Sequence, residues 1–346
     1  MPVDFLKSLG VEHPVVLGPM AGGAGSPALV AAVSNAGALG SFGAAYLAPQ
    51  QILDTARELR SLTSMPIALN LFAGGYEPDR VVEPGPMLAV VSKAHERLGL
   101  APPKLPPNPV SPLDEQIEAV IEAKPALFSF TFGVPSAEQI ARVQKAGIPV
   151  CGTATTVEEA KVLAAAGVNA IAAQGEEAGA HRGTFLRSAE ESMVPTYELV
   201  RGVVAATGLP VFASGGLMDG ADITRAFEAG AQAAQLGTAF LLCPESGVPE
   251  PYREALRARK DTTVITRVFS GRAARGLRNR FIDDCEGVPV LPFRQQNDLT
   301  RAMRTESGKK GLADYISLWA GRGVTRIREM PAPDLVRALV VEIGGR

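Results

Sequence analysis

The chain has 346 residues, 46% of them hydrophobic and 20% charged, which is ordinary for a globular protein able to bury a sizeable core. A formal net charge of -2 excludes a bulk attraction to nucleic acid or to an anionic membrane. Cys151, Cys243 and Cys285 are odd in number and widely spaced, so neither a disulfide framework nor a zinc pair is expected, and no uncharged run approaches the roughly 20 residues of a spanning helix.

The chain starts MPVDFLKSLG, without a basic leader followed by a long apolar run, and is read as a soluble cytoplasmic protein. One phrase then recurs. NAGALGSF at 35–42, KAGIPVCG at 145–152, AAGVNAIAA at 165–173, ATGLPVFAS at 206–214 and EAGAQAAQLG at 228–237 each pass from a helical stretch through Gly into a short apolar segment. Gly accepts the left-handed conformation that closes a helix, so each phrase predicts a helix running into a strand. Helix starts agree: Ser26-Pro27 reads as an N-cap with Pro at the first helical position, and Ser136/Gln139 and Thr156/Glu159 have capping-box spacing. Candidate strands fall at 15–18, 38–42, 66–71, 126–130, 148–152, 168–173, 210–214 and 232–236. Eight such strands alternating with helices predict a parallel (β/α)8 TIM barrel, with a doubly wound sheet as the other arrangement.

The barrel is expected over residues 1–245, with a Pro-rich insertion at about 73–112 after the third strand. Residues 246–346 form a helical C-terminal extension packed on the barrel rather than a separate domain. In a barrel the residues just past the strands converge on one face. Here they are GPMAGG at 18–23, Asn70, SFTFG at 129–133, GTATT at 152–156, QGEEAGAH at 174–181, SGG at 214–216 and QLGT at 235–238. The set is rich in Gly, hydroxyls and amides, which suits a polar cofactor held by neutral hydrogen bonds. SGG and QLGT follow the seventh and eighth strands, where barrels bind phosphate on backbone N–H groups.

Other features weigh less. Gly23 to Ala28 matches G-x-G-x-x-A, but the next strand ends SFGAAY without the acidic residue a dinucleotide site requires. The three histidines, His13, His95 and His181, have no ligand spacing, so no metal is expected. His181, past the sixth strand, is either a general base or a loop histidine bonded to backbone. Glu176 and Glu177 are read as solvated, or one of them as paired with Arg182. Cys243 is read as buried and apolar. Arg272, Arg275, Arg278 and Arg280 form a cluster that either holds an anion or, the preferred reading, is a solvated, salt-bridged surface.

GPMAGG, AAQGEEAGAHRGTF, VFASGGLMDG and QLGTAFLLCPES, in that order, resemble the class I nitronate monooxygenases, formerly called 2-nitropropane dioxygenases. The resemblance runs from about Pro14 through SGRAARGLRNRF into the tail. It implies a (β/α)8 barrel with non-covalent FMN. The implied FMN contacts are Pro19, Met20, Ala21, Asn70, Gln174, Gly179, Gly215, Gly216, Gln235, Leu236, Gly237 and Thr238. His181 is the implied catalytic base, taking the α-proton of a nitroalkane. The implied reaction is oxidative denitration of an alkyl nitronate, such as propionate 3-nitronate, with O2 to a carbonyl product and nitrite or nitrate. Two departures stand out. Ala180 replaces the second Gly usual before the histidine, so either a need for positive φ there alters the loop and displaces His181 or the added methyl narrows the substrate pocket. QNDLTRAM at 296–303 lacks tyrosines of some members' sites. Two other readings compete: an NAD(P)H-dependent FMN reductase of the enoyl-thioester or quinone type, and a non-catalytic flavin or phosphate-ligand binding protein.

Overall fold

The computed structural model describes residues 5–75, 81–258 and 263–344, so residues 76–80 of the Pro-rich insertion and the first four residues lie outside the described residues. The strands are β1 (Val15–Leu17), β2 (Gly40–Gly43), β3 (Ile67–Phe72), β4 (Leu127–Thr131), β5 (Val150–Ala154), β6 (Ala170–Gln174), β7 (Ala180–His181), β8 (Val211–Ser214), β9 (Ala233–Leu236), β10 (Thr263–Thr266) and β11 (Ala274–Leu277). Eight form one parallel sheet in the order β1-β9-β8-β6-β5-β4-β3-β2. Leu17 N–H donates to Leu39 O at 2.9 Å and Leu39 N–H to Val15 O at 2.9 Å, joining the two ends into a TIM barrel. Every predicted strand is present, several displaced by up to two residues toward the C-terminus.

The local signals act as their chemistry dictates. The glycine of each recurring phrase has a positive φ: 83° at Gly37, 80° at Gly147, 84° at Gly167, 63° at Gly208 and 101° at Gly230. Ser26 caps the helix Pro27–Asn35, and Ser136 with Gln139 forms the full capping box of the helix Ala137–Lys145. At Thr156 the box forms by half. Its hydroxyl accepts from Glu159 N–H, but the Glu159 carboxylate turns inward to Thr155 N–H and Oγ1, both at 2.7 Å, and to Thr184 Oγ1 at 2.9 Å, Phe185 N–H at 2.5 Å and Leu186 N–H at 3.1 Å. A buried carboxylate needs donors, and the loop after β7 supplies more than the cap position could.

Inside the barrel, Val16, Leu39, Ala68, Leu127, Cys151, Ala170 and Phe212, near the strand starts, pack with Leu6 of the short helix Phe5–Ser8. A larger apolar layer lies between strands and helices. The helix Gly85–Leu98, in the insertion, packs on the helix Gln295–Lys309, and Met87, Val91, Leu98, Phe269, Leu299 and Met303 share a further cluster. The tail also contains strands that the sequence did not announce. β10, β11 and β7 form a small antiparallel sheet in which Ala274 pairs with His181 and Arg275 with Ala180. His181 therefore sits in a two-residue strand clamped to the tail, rather than in a free loop.

Candidate active site

The predicted site residues are brought together. Pro19, Met20, Ala21, Asn70, Gln174, Gly179, His181, Gly215, Gly216, Gln235, Leu236, Gly237 and Thr238 all line one cavity of about 680 Å³ at the C-terminal ends of the barrel strands. Among the described residues, no protein acceptor takes the backbone N–H of Gly215, Gly216, Gly237 or Thr238. Gly215 and Gly216 have φ of 129° and 71°, conformations that side chains other than glycine rarely adopt. Such unclaimed N–H groups at the end of β8 and β9 form a ready cradle for an anion.

Some of these side chains are already engaged. Gln174 donates from Nε2 to His181 O at 3.0 Å and accepts Gly183 N–H on Oε1 at 2.8 Å, bracing the strand that carries the histidine. Thr238 Oγ1 accepts Gly321 N–H at 2.9 Å. A Cβ on Gly179 would lie 2.6 Å from Gly321 N and 2.7 Å from Ala320 C, so this glycine is required where the tail backbone crosses the rim. Asn70 Nδ2 donates to Ser129 Oγ at 2.9 Å.

His181 stands in a cage of rings. Phe72, Phe132, Phe293 and Trp319 have centroids 6.5, 5.7, 5.8 and 5.7 Å from its own. Its Nε2 lies 2.8 Å from Ser270 Oγ. Burial, with the nearby charges of Arg272 and Arg304, pulls its pKa down to about 3. Ala180 has a φ of 61°, the strained conformation that its methyl disfavours, at a cost of about 1 kcal/mol. Phe132 at 74° and Arg294 at 58°, the latter next to Phe293, share the left-handed region. Three of the four non-glycine residues with positive φ among the described residues thus belong to this cage or adjoin it, and tertiary packing holds them there.

The arginine segment corrects two expectations. Arg182 pairs with neither glutamate: fully buried, it donates to Gly175 O at 2.5 Å, Gln174 O at 3.2 Å and Ser192 O at 3.0 Å, and burial pushes its pKa down to about 10. Glu176 instead pairs with Arg322 at 2.6 Å, and Glu177 accepts from Thr196. Arg278 and Arg280 are surface ion pairs with Asp283 and Asp284, as expected of a solvated segment. Arg275, only 4% exposed, and Arg272 are not: Arg275 donates to Glu176 O, and Arg272 donates to Thr184 O and Arg182 O while covering the Phe132 ring at 3.9 Å. The loops after β6 and β7 leave carbonyls that no strand partner meets, and guanidinium groups from the tail satisfy them. Cys243 is buried as expected, and burial pushes its pKa to about 12.

One wall was read in the sequence only for the tyrosines it lacks, and its cations were missed. The face of Gln295–Lys309 carrying Asn297, Arg301, Arg304, Thr305, Gly308 and Lys309 lines the cavity. Arg301 pairs with Asp298 and Lys309 lies 3.9 Å from Glu306. Arg304 donates only to Asn297 O and Oδ1, at 2.8 and 2.9 Å, and its buried Nε has no partner among the described residues. No described Asp or Glu lines the cavity. The one available signal was the spacing of three cations along a single helix face, which reads equally well as a solvated helix.

A TIM barrel with a half-buried imidazole set among aromatic rings, an amide-lined rim and cationic groups facing it across a cavity defines an enzyme of the barrel class. The family described as Nitronate monooxygenase matches residues 4–342. A nitronate monooxygenase of Pseudomonas aeruginosa is 42% identical over 99% of both chains, and one of Paraburkholderia phytofirmans is 40% identical over 98% of this chain and 94% of its own. Among solved structures, nitroalkane oxidase from Streptomyces ansochromogenes has a TM-score of 0.90 at 35% identity, covering 99% of this chain and 98% of that one. FabK from Thermotoga maritima has a TM-score of 0.75 at 27% identity, covering 100% and 97%. The chain belongs to the nitronate monooxygenase family and is an oxidoreductase. No helix among the described residues is long and apolar enough to cross a membrane.

Proposed function

We propose that the protein is an FMN-dependent monooxygenase that takes an alkyl nitronate, or a nitroalkane that it first deprotonates, and with O2 yields a carbonyl compound and nitrite or nitrate. The observation that carries this reading is the pairing of a neutral, aromatic-caged imidazole with a cationic cavity wall that holds no carboxylate among the described residues. The residues present fit FMN: the unclaimed N–H groups of Gly215, Gly216, Gly237 and Thr238 suit its phosphate, and the amides of Asn70 and Gln235 suit its polar ring atoms. When bound, FMN supplies the electron-accepting chemistry that no side chain here provides.

The chain's own groups do the rest. His181, neutral near pH 7 because its pKa lies at about 3, is a base free of a competing proton. A substrate anion forming beside it opposes the arginine charges and raises its proton affinity as the transfer proceeds. Arg304, which has no carboxylate partner among the described residues, offers its charge to the nitronate or to an anionic substituent. Phe72, Phe132 and Trp319 line the cavity beside His181 and present apolar surface to the reacting carbon.

The test is an absorbance spectrum of the purified protein, followed by anaerobic addition of propionate 3-nitronate. Bound oxidised flavin that is reduced by the nitronate alone is the expected result. Flavin that ignores the nitronate but bleaches with NADH or NADPH would favour the reductase reading instead. Failure to retain or take up FMN would remove the cofactor assignment.

A further inference from the structure

Ser270 lies in the turn between β10 and β11, outside the barrel, and only 2% of it is exposed. Its Oγ is 2.8 Å from His181 Nε2, is 3.2 Å from Arg272 O in a geometry for donation, and accepts Arg272 N–H at 3.3 Å. A hydroxyl has one proton to give, and a carbonyl oxygen can only accept. If that proton goes to Arg272 O, the hydroxyl oxygen meets His181 as an acceptor, so the ring's proton sits on Nε2. The other arrangement, with Ser270 donating to Nε2, takes the hydroxyl's proton away from the Arg272 carbonyl.

The opposite ring nitrogen completes the argument. Nδ1 has no hydrogen-bond partner among the described residues, yet it is not among the buried polar atoms left unpaired. His181 lines the cavity, so Nδ1 is the ring nitrogen left accessible there. We infer that Ser270 is the positioning residue that fixes His181 as the Nε2–H tautomer, making Nδ1 the atom that receives the substrate's α-proton. The inference rests on the reading of the site as a nitroalkane-deprotonating one.

The step balances without any redox partner. The α-carbon–hydrogen bond breaks, its electron pair delocalises onto the nitro group to give the nitronate, and an Nδ1–H bond forms. The imidazolium keeps its Nε2–H directed at Ser270 Oγ. The rest of the cage is Phe72, Phe132, Phe293 and Trp319, which provide no comparable acceptor, and the charges facing the ring are those of Arg272 and Arg304. Without Ser270 the tautomer is unassigned and the new cation lacks its acceptor.

Long-range proton–nitrogen correlation spectra of protein labelled with 15N-histidine decide the tautomer, because the chain has only three histidines and His181→Asn identifies the relevant signals. The expected wild-type spectrum has the proton on Nε2 and Nδ1 bare. A wild-type Nδ1–H ring would overturn the inference whether or not any variant folds. Ser270→Ala is expected to mix the tautomers and to lower the ratio of kcat/KM for neutral nitroethane to that for ethyl nitronate by roughly 10- to 100-fold, with Ser270→Thr restoring most of it. An unchanged ratio in Ser270→Ala would also overturn it. Absence of turnover with any nitro compound would instead remove the proposed function, and the spectrum would still report the tautomer.

Discussion

The barrel side of the cavity and the side built by residues 263–323 hold their functional groups by opposite means. The rim is neutral and made largely of backbone: glycines, amides and unclaimed N–H groups whose places follow from where each strand ends. The facing wall is aromatic and cationic and made of long side chains, and two of its arginines, Arg272 and Arg275, reach across to donate to main-chain carbonyls of the loops after β6 and β7. The two meet where Gly179 passes Ala320 and Gly321, and where Thr238 accepts Gly321 N–H. A rim of this kind fixes a constant ligand, while a wall of side chains decides what may lie against it.

The strongest way to break this division is at His181, which the wall's sheet presents to the rim. His181→Asn is expected to lower kcat/KM for neutral nitroethane by about 10²- to 10⁴-fold, whereas turnover of ethyl nitronate falls far less because its proton is already gone. Equal losses on both substrates would make the histidine a binding group. For the wild type, a pKa of about 3 keeps the base form present above that pH, so His181 imposes no fall in nitroethane turnover between pH 8 and 5. The linkage has the matching sign: the unfolded chain takes up the proton first, so His181 subtracts stability as pH falls from its ordinary 6.5 toward 3.

Next comes Arg304→Gln, which leaves the rim intact. The nitronate KM is expected to rise about tenfold or more, the scale of a charge-assisted hydrogen bond, with FMN content unchanged. Loss of FMN would mean that the wall also holds the cofactor. Gly179→Ala attacks the seam itself. The added Cβ meets backbone rather than a flexible side-chain end, so a cost of about 1–3 kcal/mol is expected, read as a lower urea midpoint. Unchanged stability would show that the tail rides loosely on the rim. The smallest effect has the opposite sign: Ala180→Gly relieves a positive φ and is expected to add up to about 1 kcal/mol, a rise of ~2 °C in melting temperature.

The same contrast explains what was legible in the sequence. Barrel strands are short apolar runs punctuated by helix-closing glycines, so they declare themselves locally, and the rim residues follow by counting past each strand. β7 is only two residues long and exists because β11 reaches it, a pairing across more than ninety positions that no local pattern encodes. Arg272 and Arg275 read as surface charges because their acceptors are loop carbonyls, which leave no trace in side-chain composition. Glu159 left its cap for the same reason: its better donors lie in a distant loop. Ala180 was visible as a departure, but the sign of its φ was set by the clamp between β7 and β11.

The helix Gln295–Lys309 presents one face to the cavity and turns Leu299 and Met303 into the apolar layer shared with Gly85–Leu98. Side chains on the first face can therefore be exchanged without disturbing the packing that holds the helix. A helix seated in this way can change what it shows the cavity one side chain at a time and keep its place in the fold.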